Sequence, residues 1–445
     1  MRKIFARALL MVGLLAAQNL SAQGAQKTTG TASVTGRWIV SADFYGTPLN
    51  YSMELVQQGD KLTGNFSGDK LEGTISGNAV HFLAKDEQGG TEDCSATLQG
   101  DMLTGTAIFI DGDDKDHPST HQFTAKLAPQ RRAGPAQRHE FTPTIFYRAF
   151  SPTNKPVLTV SPGDTIHTTT VDAGGTDEKG VTRVLGGNPE TGPFYIEAAE
   201  PGDTLVVHIV RLKLNRDYAI SDDGIVERGM DSDLAVKLKD NGKSVRWHLD
   251  LAHGTASPEK PGEHMLHYSV PVHPMLGCVA AATSLVQAAP GSGDSGRFGG
   301  NMDFNEIVEG ATVYLPVSVP GAMLYFGDGH AMQGDGELNG NALETSMDVE
   351  ISVDVIAKKR IPTPRVESAT HIMAMALEGS IDEAFRTATS SMASWLEEDY
   401  KLTSSEIALV LGTSAEYRVS EVADRNAGVV IEISKERLKG LSSGK

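Results

Sequence analysis

The alternation of apolar and polar positions along this chain is that of strands over most of its length. Between Ser33 and Leu127, runs such as Gly36-Arg-Trp-Ile-Val-Ser-Ala-Asp-Phe44 and Leu49 to Val56 place aromatic and β-branched residues at alternate positions, as strands with one wet face do. A small repeat punctuates them: Gly59-Asp-Lys-Leu-Thr-Gly64, Asp69-Lys-Leu-Glu-Gly73 and Gly100-Asp-Met-Leu-Thr-Gly105. Each puts a turn pair before a strand start, as a meander of hairpins would. The pattern predicts a small antiparallel β barrel or sandwich over 33–128. His81 and Glu92 within it read as surface or satisfied residues rather than ligands. The stretch 129–139, polar, basic and containing Pro and Gly, reads as a linker.

Beyond it, Leu158 to Val160, Thr165 to Val171, Thr204 to Leu212 and Ala311 to Val319 are β-branched runs bounded by Pro-Gly pairs. No amphipathic helices come between them, which predicts an all-β core rather than a parallel sheet wrapped by helices. The tail changes character. Ile372, Met375, Ala376, Ile381, Ala384, Phe385, Ala388, Met392 and Trp395 fall at helical spacing and predict a helix within His371–Tyr400. Thr403 with Glu406 makes a capping-box pattern before Ile407 to Leu411, and Val429 to Ile433 reads as a final strand. The expected fold is mainly β with a small α/β part at the C-terminal end.

Length and composition narrow the function. A chain of 445 residues, 40% apolar and 22% charged, has material for two or three folded domains. Its net charge of −18 repels a phosphate backbone and disfavours anionic membranes. Cys94 and Cys278 are the only cysteines, so a disulfide framework and a Cys-rich zinc module are excluded. At the start, Arg2, Lys3 and Arg7 precede the apolar run Ala8 to Ala17, and Leu20-Ser21-Ala22 offers a cleavage site before Gln23. Residues 1–22 therefore read as a secretory signal peptide. The expectation is a mature protein that is soluble, free of the membrane, and secreted or periplasmic.

Chemistry concentrates between Gly299 and Glu344. Gly327-Asp-Gly-His-Ala-Met-Gln-Gly-Asp-Gly-Glu337 carries Asp328, His330, Asp335 and Glu337 among four glycines, with no Lys or Arg. Ligands at i and i+2 can converge on one cation from a loop or an extended strand. Three acids and an imidazole so crowded repel one another unless protons or a cation neutralise them. The cluster is a candidate metal site, and a solvated acidic turn is the bland alternative.

Several motifs, in order, resemble the acetamidase/formamidase family: Ser161-Pro-Gly-Asp-Thr165 leading to Asp172, Asn188-Pro-Glu-Thr-Gly-Pro193, Glu200-Pro-Gly-Asp-Thr-Leu-Val-Val207, Gly299-Gly-Asn-Met-Asp303, Leu315-Pro-Val through Pro-Gly-Ala322, and the Gly327 to Glu337 run. The resemblance covers about 140–435 and leaves the N-terminal β domain outside as an accessory. It implies a β-rich hydrolase acting on small linear amides, a homo-oligomer, with an acidic, His-containing pocket associated with a metal. On that reading Asp172, Asp328, His330 and Glu344 hold a divalent cation, zinc in first place and calcium as the alternative. Glu337 serves as general base and Asp335 belongs to the same acidic set, while Asn301 or Asp303 orients substrate or a ligand. The stretch Ser221 to His267 is poorly matched and can reshape the pocket.

Two rival readings remain. Cys278 could attack an amide or lactam as a thiolate. Or the chain is an exported binding protein that keeps the fold without catalysis. Gly293-Asp-Ser-Gly296 lacks the histidine context of a serine protease and is a coincidence of sequence.

Overall fold

The computed structural model describes residues 33–441 apart from Tyr45, Ser67, 129–131 and 285–287. The proposed signal peptide, residues 1–22, lies outside the described residues. Among the described residues, no helix is long and apolar enough to cross a membrane.

The chain is mainly β. Eight strands, Gly36–Phe44, Thr47–Gln58, Lys61–Phe66, Asp69–Ser76, Ala79–Lys85, Thr91–Gln99, Met102–Ile110 and Ser119–Leu127, pair antiparallel in sequence order. The first closes on the last, with Trp38 opposite Leu127 and Ala42 opposite Phe123. The result is a barrel rather than a sandwich, so no strand edge is left open. Alternation fills its interior: Trp38, Met53, Leu55, Leu71, Phe82, Leu103 and Phe123 are all buried there. His81 sits outside, beside Asp93 at 2.7 Å, and Glu92 meets His121 at 3.0 Å.

The rest is built on two large sheets. One places Leu324–His330 between Met275–Ala281 and Glu344–Thr345, with Glu190–Ile196 also paired to it. The other runs through Met347–Ile356, Thr204–Leu214, Thr312–Pro316, Arg365–Glu367, His371–Glu378 and Ala427–Ser434. Apolar side chains from both, among them Phe194, Val279 and Phe326 from the first and Leu205, Val207 and Ile351 from the second, form one buried cluster. Sheets stacked face to face make such a core.

The expected helix over His371–Tyr400 needs correction. Residues His371–Glu378 are a strand, and the helix runs over Ile381–Tyr400, capped by Ser380, whose side chain accepts from Glu383 N. The reason is burial on both faces. Met373, Met375 and Leu377 enter the inter-sheet core, while Ile372, Ala374 and Ala376 pack under Ala384, Ala388 and Met392 of the helix. A strand covered on both sides loses its alternation, and its apolar run merges with the helical stripe that follows. The capping box at Thr403 and Glu406 starts a helix over Ser404–Ser414, and the last strand spans Ala427–Ser434.

The barrel is fastened to the sheets by buried charge. Ser161-Pro-Gly-Asp164 and Glu200-Pro-Gly-Asp203 fold into matching corners, each Asp accepting the backbone N–H three residues back at 3.0 Å. Pro at the second position and Gly at the third suit such a turn. Both aspartates are fully buried. Asp164 receives Arg132 at 2.7 Å and His139 at 2.9 Å. Asp203 receives Arg37 of the barrel at 2.9 Å, and Arg37 also pairs with Glu200. On the surface, Lys358 reaches Glu54 of the barrel at 2.9 Å.

Candidate metal centre and active site

The Gly-Asp-Gly-His run is a strand, Leu324–His330, so Asp328 and His330 lie on one face. The antiparallel neighbour sets Glu344 directly opposite His330. Asp303 and Glu337 come from turns and complete the group. Asp303, Asp328 and His330 present ligand atoms within 4.8 Å of one another, and so do His330, Glu337 and Glu344. All five are buried. Three of them, Asp303, Asp328 and Glu337, have positive φ of 40°, 51° and 45°. Left-handed backbone costs a residue with a side chain about 1–2 kcal/mol, and such positions recur where function needs a side chain aimed inward.

Room for the carboxylates is made by missing side chains. A Cβ on Gly277 would collide with Asp328 Oδ2 and Asp303 Oδ1, and one on Gly327 with Glu190 Oε2.

The imidazole is held in one tautomer. Gln333 donates its amide N–H groups to the carbonyls of Asp303 at 2.5 Å and Ser420 at 3.4 Å, so its Oε1 accepts from His330 Nδ1 at 2.7 Å. That leaves Nε2 facing Glu344 Oε1 at 3.2 Å and Asp328 Oδ2 at 3.6 Å. These are close ionic approaches rather than aligned hydrogen bonds. Neither oxygen of Asp328 has a hydrogen-bond partner among the described residues, nor do Asp303 Oδ1 and Glu344 Oε2. Orphaned buried oxygens beside an imidazole nitrogen suit a cation, which would satisfy them together. These groups could hold a metal ion.

Electrostatics say the same. Burial and the Asp328 carboxylate push Glu344 up to about 8. Burial, then Glu337 and Asp328, hold Asp303 well above the ordinary carboxylate range. Glu337 is raised by burial, with His330 pulling the other way. For His330 burial works against the charged form, but Glu344 and Asp328 outweigh it and raise its pKa. Without a cation, this cluster keeps protons that carboxylates normally release.

Two expected residues stand apart from it. Asp172 accepts from Arg216 Nη2 at 2.6 Å and from the N–H of Thr176 at 2.8 Å, so both its oxygens are engaged. The same guanidinium donates to the Glu344 carbonyl at 3.3 Å and to Thr345 Oγ1 at 2.9 Å. Asp172 thus borders the cluster and braces Glu344 through Arg216. Asp335 is 43% exposed and pairs with Arg418 at 2.6 Å and Asn305 at 3.0 Å. Asn301 lies beside the cluster, its amide nitrogen 2.7 Å from both Asp303 Oδ2 and Asp424 Oδ2.

Sequence reasoning missed Glu190, Gln333, Arg216 and Asp424. Glu190 is fully buried next to the Cys278 thiol and Asp328, and neither of its oxygens reaches a well-aligned hydrogen bond. Burial, then Asp328, raises its pKa well above the ordinary carboxylate value. Its signal was the Asn188-Pro-Glu motif; Asn188 itself donates to Asn301 Oδ1 at 3.2 Å. Nothing local marks Asp424, which arrives from the far end of the chain and which burial lifts to about 6. Cys278 is fully buried, and burial followed by Glu190 and Asp328 raises its pKa well above that of a free thiol. A thiol so placed is a poor nucleophile.

Known proteins share parts of this chain's sequence and fold. The acetamidase/formamidase family model matches residues 280–422, a span that holds Asn301, Asp303, Asp328, His330, Glu337 and Glu344. The acetamidase of Mycolicibacterium smegmatis is 44% identical over 59 residues, 13% of this chain and 14% of its own length. The chain spans only 10% and 14% of the curated relatives it matches. In fold, it is similar to the acetamidase from Yersinia enterocolitica, with 26% identity and a TM-score of 0.60 over 70% of this chain and 96% of that one. The acetamidase from Bacillus halodurans gives 25% identity and a TM-score of 0.58 over 68% of this chain and the whole of that one. In both its motifs and its fold, then, this chain resembles the acetamidase/formamidase family.

Proposed function

We propose that this chain hydrolyses the C–N bond of small linear amides, releasing a carboxylate and ammonia. The observation that carries the reading is the pair of buried groups that share His330, Asp303 with Asp328 and Glu337 with Glu344, each with its ligand atoms within 4.8 Å. Asp303, Asp328 and His330, whose ligand atoms lie within 4.8 Å of one another, would hold a divalent cation with Glu344 beside the imidazole, zinc before calcium because an imidazole is among the donors. Such an ion supplies polarisation of the amide carbonyl and acidification of water.

The chain's own groups do the rest. Glu337 takes the proton of the attacking water and passes it to the leaving nitrogen, which cannot depart as an amide anion. Gln333 fixes the imidazole, and Arg216 braces the strand that carries Glu344. Asn301, anchored by Asp303 and Asp424, orients the substrate carbonyl or amide. Glu190, whose pKa burial raises, flanks the cluster on the Cys278 side. The residues 1–22 would send the enzyme out of the cytoplasm, and N-terminal sequencing of exported protein should then start at Gln23.

The test is metal analysis of purified protein paired with ammonia release from formamide, acetamide, propionamide and a γ-lactam. The expected result is turnover of the linear amides that chelator removes and zinc restores. Full turnover in chelator would sink the metal mechanism, and silence across the panel with metal bound would favour a binding protein.

Two substitutions separate the rival residues. Cys278→Ser and Asp335→Asn should each keep activity within about tenfold, because a protonated buried thiol and a surface ion pair contribute little to the chemistry. A loss of about 10³-fold in either, with the fold intact, would move that residue into the reaction.

A further inference from the structure

A second site lies on the other sheet, where Arg365–Glu367 and Thr312–Pro316 meet the helix Ile381–Tyr400. A cavity of about 350 Å³ opens there, lined by Tyr314, Ile361, Arg365, Trp395, Lys359 and Lys401 among others. Arg365 is 2% exposed. Its Nη1 donates to Glu398 at 3.1 Å, and its guanidinium carbon stacks 4.8 Å from the Trp395 ring centre. Nε and Nη2 are shielded from water and have no hydrogen-bond partner among the described residues. Those two nitrogens form one edge of the guanidinium, the edge whose parallel N–H groups match the two oxygens of a carboxylate. Leaving two buried donors unpaired costs about 1–3 kcal/mol each, so this edge favours a partner that accepts from both.

The surroundings say what charge fits. Lys359 is 2.8 Å from Asp399, Lys435 is 2.6 Å from Glu367, and Tyr314 Oη donates to Glu367 at 2.9 Å. Lys401 Nζ donates to the Glu398 backbone carbonyl at 2.7 Å rather than to a carboxylate. The lining thus carries three cations and three carboxylates; Glu367 is engaged from outside the cavity by Lys435, and Lys401 pairs with no carboxylate among the described residues. Burial depresses the Arg365 pKa, with Glu398 only partly offsetting it, as expected of a charge short of partners. The remaining wall is apolar: Ile361, and Tyr314 edge-on to Trp395 with centroids 6.2 Å apart. A wider cleft of about 1060 Å³ shares Ile361 and Glu398 with this cavity and carries Arg297 and Arg360. It offers a way in and favours approach of an anion.

We propose that this cavity binds a small monocarboxylate with an apolar or aromatic body, its carboxylate taken by the Nε–Nη2 edge of Arg365. The body lies against Tyr314, Trp395 and Ile361, and Lys401 supplies the charge at the mouth. The site is independent of the carboxylate cluster around His330 and does not rest on the amidase reading.

The experiment is calorimetric titration of the full chain with benzoate, with inorganic phosphate as competitor. The expected result is saturable binding of one benzoate per chain, little competition from phosphate, and unchanged binding in His330→Ala protein. Arg365→Lys keeps the charge but loses the fork and should weaken benzoate by about tenfold. If that variant fails to fold, Lys401→Gln, at an exposed position, should weaken binding by about threefold. No heat from benzoate at about 10 mM, a concentration that saturates even a millimolar site, would overturn the proposal. So would undiminished binding in both variants, equal competition by phosphate, or loss of binding in His330→Ala.

Discussion

On the metal-dependent amidase reading proposed above, His330→Ala protein should fold, take up no metal and lose amide turnover by about 10³-fold or more, the scale set when metal and general-base chemistry go together. The basis is position: among the described residues, the imidazole is the group common to both ligand sets. Metal content and circular dichroism on the same sample separate the reading from simple damage. Native metal content in a folded His330→Ala protein would overturn it. Gln333→Ala should give a milder version, about 10- to 100-fold, because it releases the ring without removing it. Acid should mimic the loss. Glu344 is pushed up to about 8 by burial and Asp328, so below that pH a cation must displace its proton. Metal affinity should rise with pH up to about 8, with protons released on binding. Affinity that is flat between pH 6 and pH 8 would argue that the carboxylates are not ligands.

The largest stability effect is expected at Arg37→Ala. Arg37 is the barrel's partner for Glu200 and Asp203, which are 2% and 0% exposed. Removing one partner of a buried pair leaves an uncompensated charge, at about 3 kcal/mol. The sign of the pH dependence follows from Glu200, which burial lifts to about 7 against the pull of Arg37. A carboxyl raised in the folded state favours folding below its unfolded value, and that benefit is lost as pH rises through about 7. Without Arg37 the charged form is worse still, so the variant should fall furthest behind native protein at pH 8 and less at pH 5. Glu200→Gln on the Arg37→Ala background should recover part of the loss. Urea unfolding at the two pH values reads this directly, and equal stability of Arg37→Ala and native protein at pH 8 would refute it.

Local pattern carried the reading a long way where one face of an element is wet. The barrel strands, the Thr403 capping box and the final strand were legible because alternation and caps are properties of a few neighbouring residues. Buried elements were not. His371–Glu378 is covered by a sheet core on one side and a helix on the other, so its apolar run carries no period and merges with the helix after it.

The site divides in the same way. Sequence alone brought Asp328, His330 and Glu337 together, because they lie within one short run whose lack of any cation already demands neutralisation. It also named Asn301, Asp303 and Glu344. Only the folded chain showed that Asp172 is held by Arg216, that Asp335 is on the surface with Arg418, and that Glu190 and Asp424 flank the cluster. Whether an acid is a ligand, a brace or a surface group depends on which distant residue faces it. That is set by strand pairing across the sheets, and no spacing along the chain encodes it.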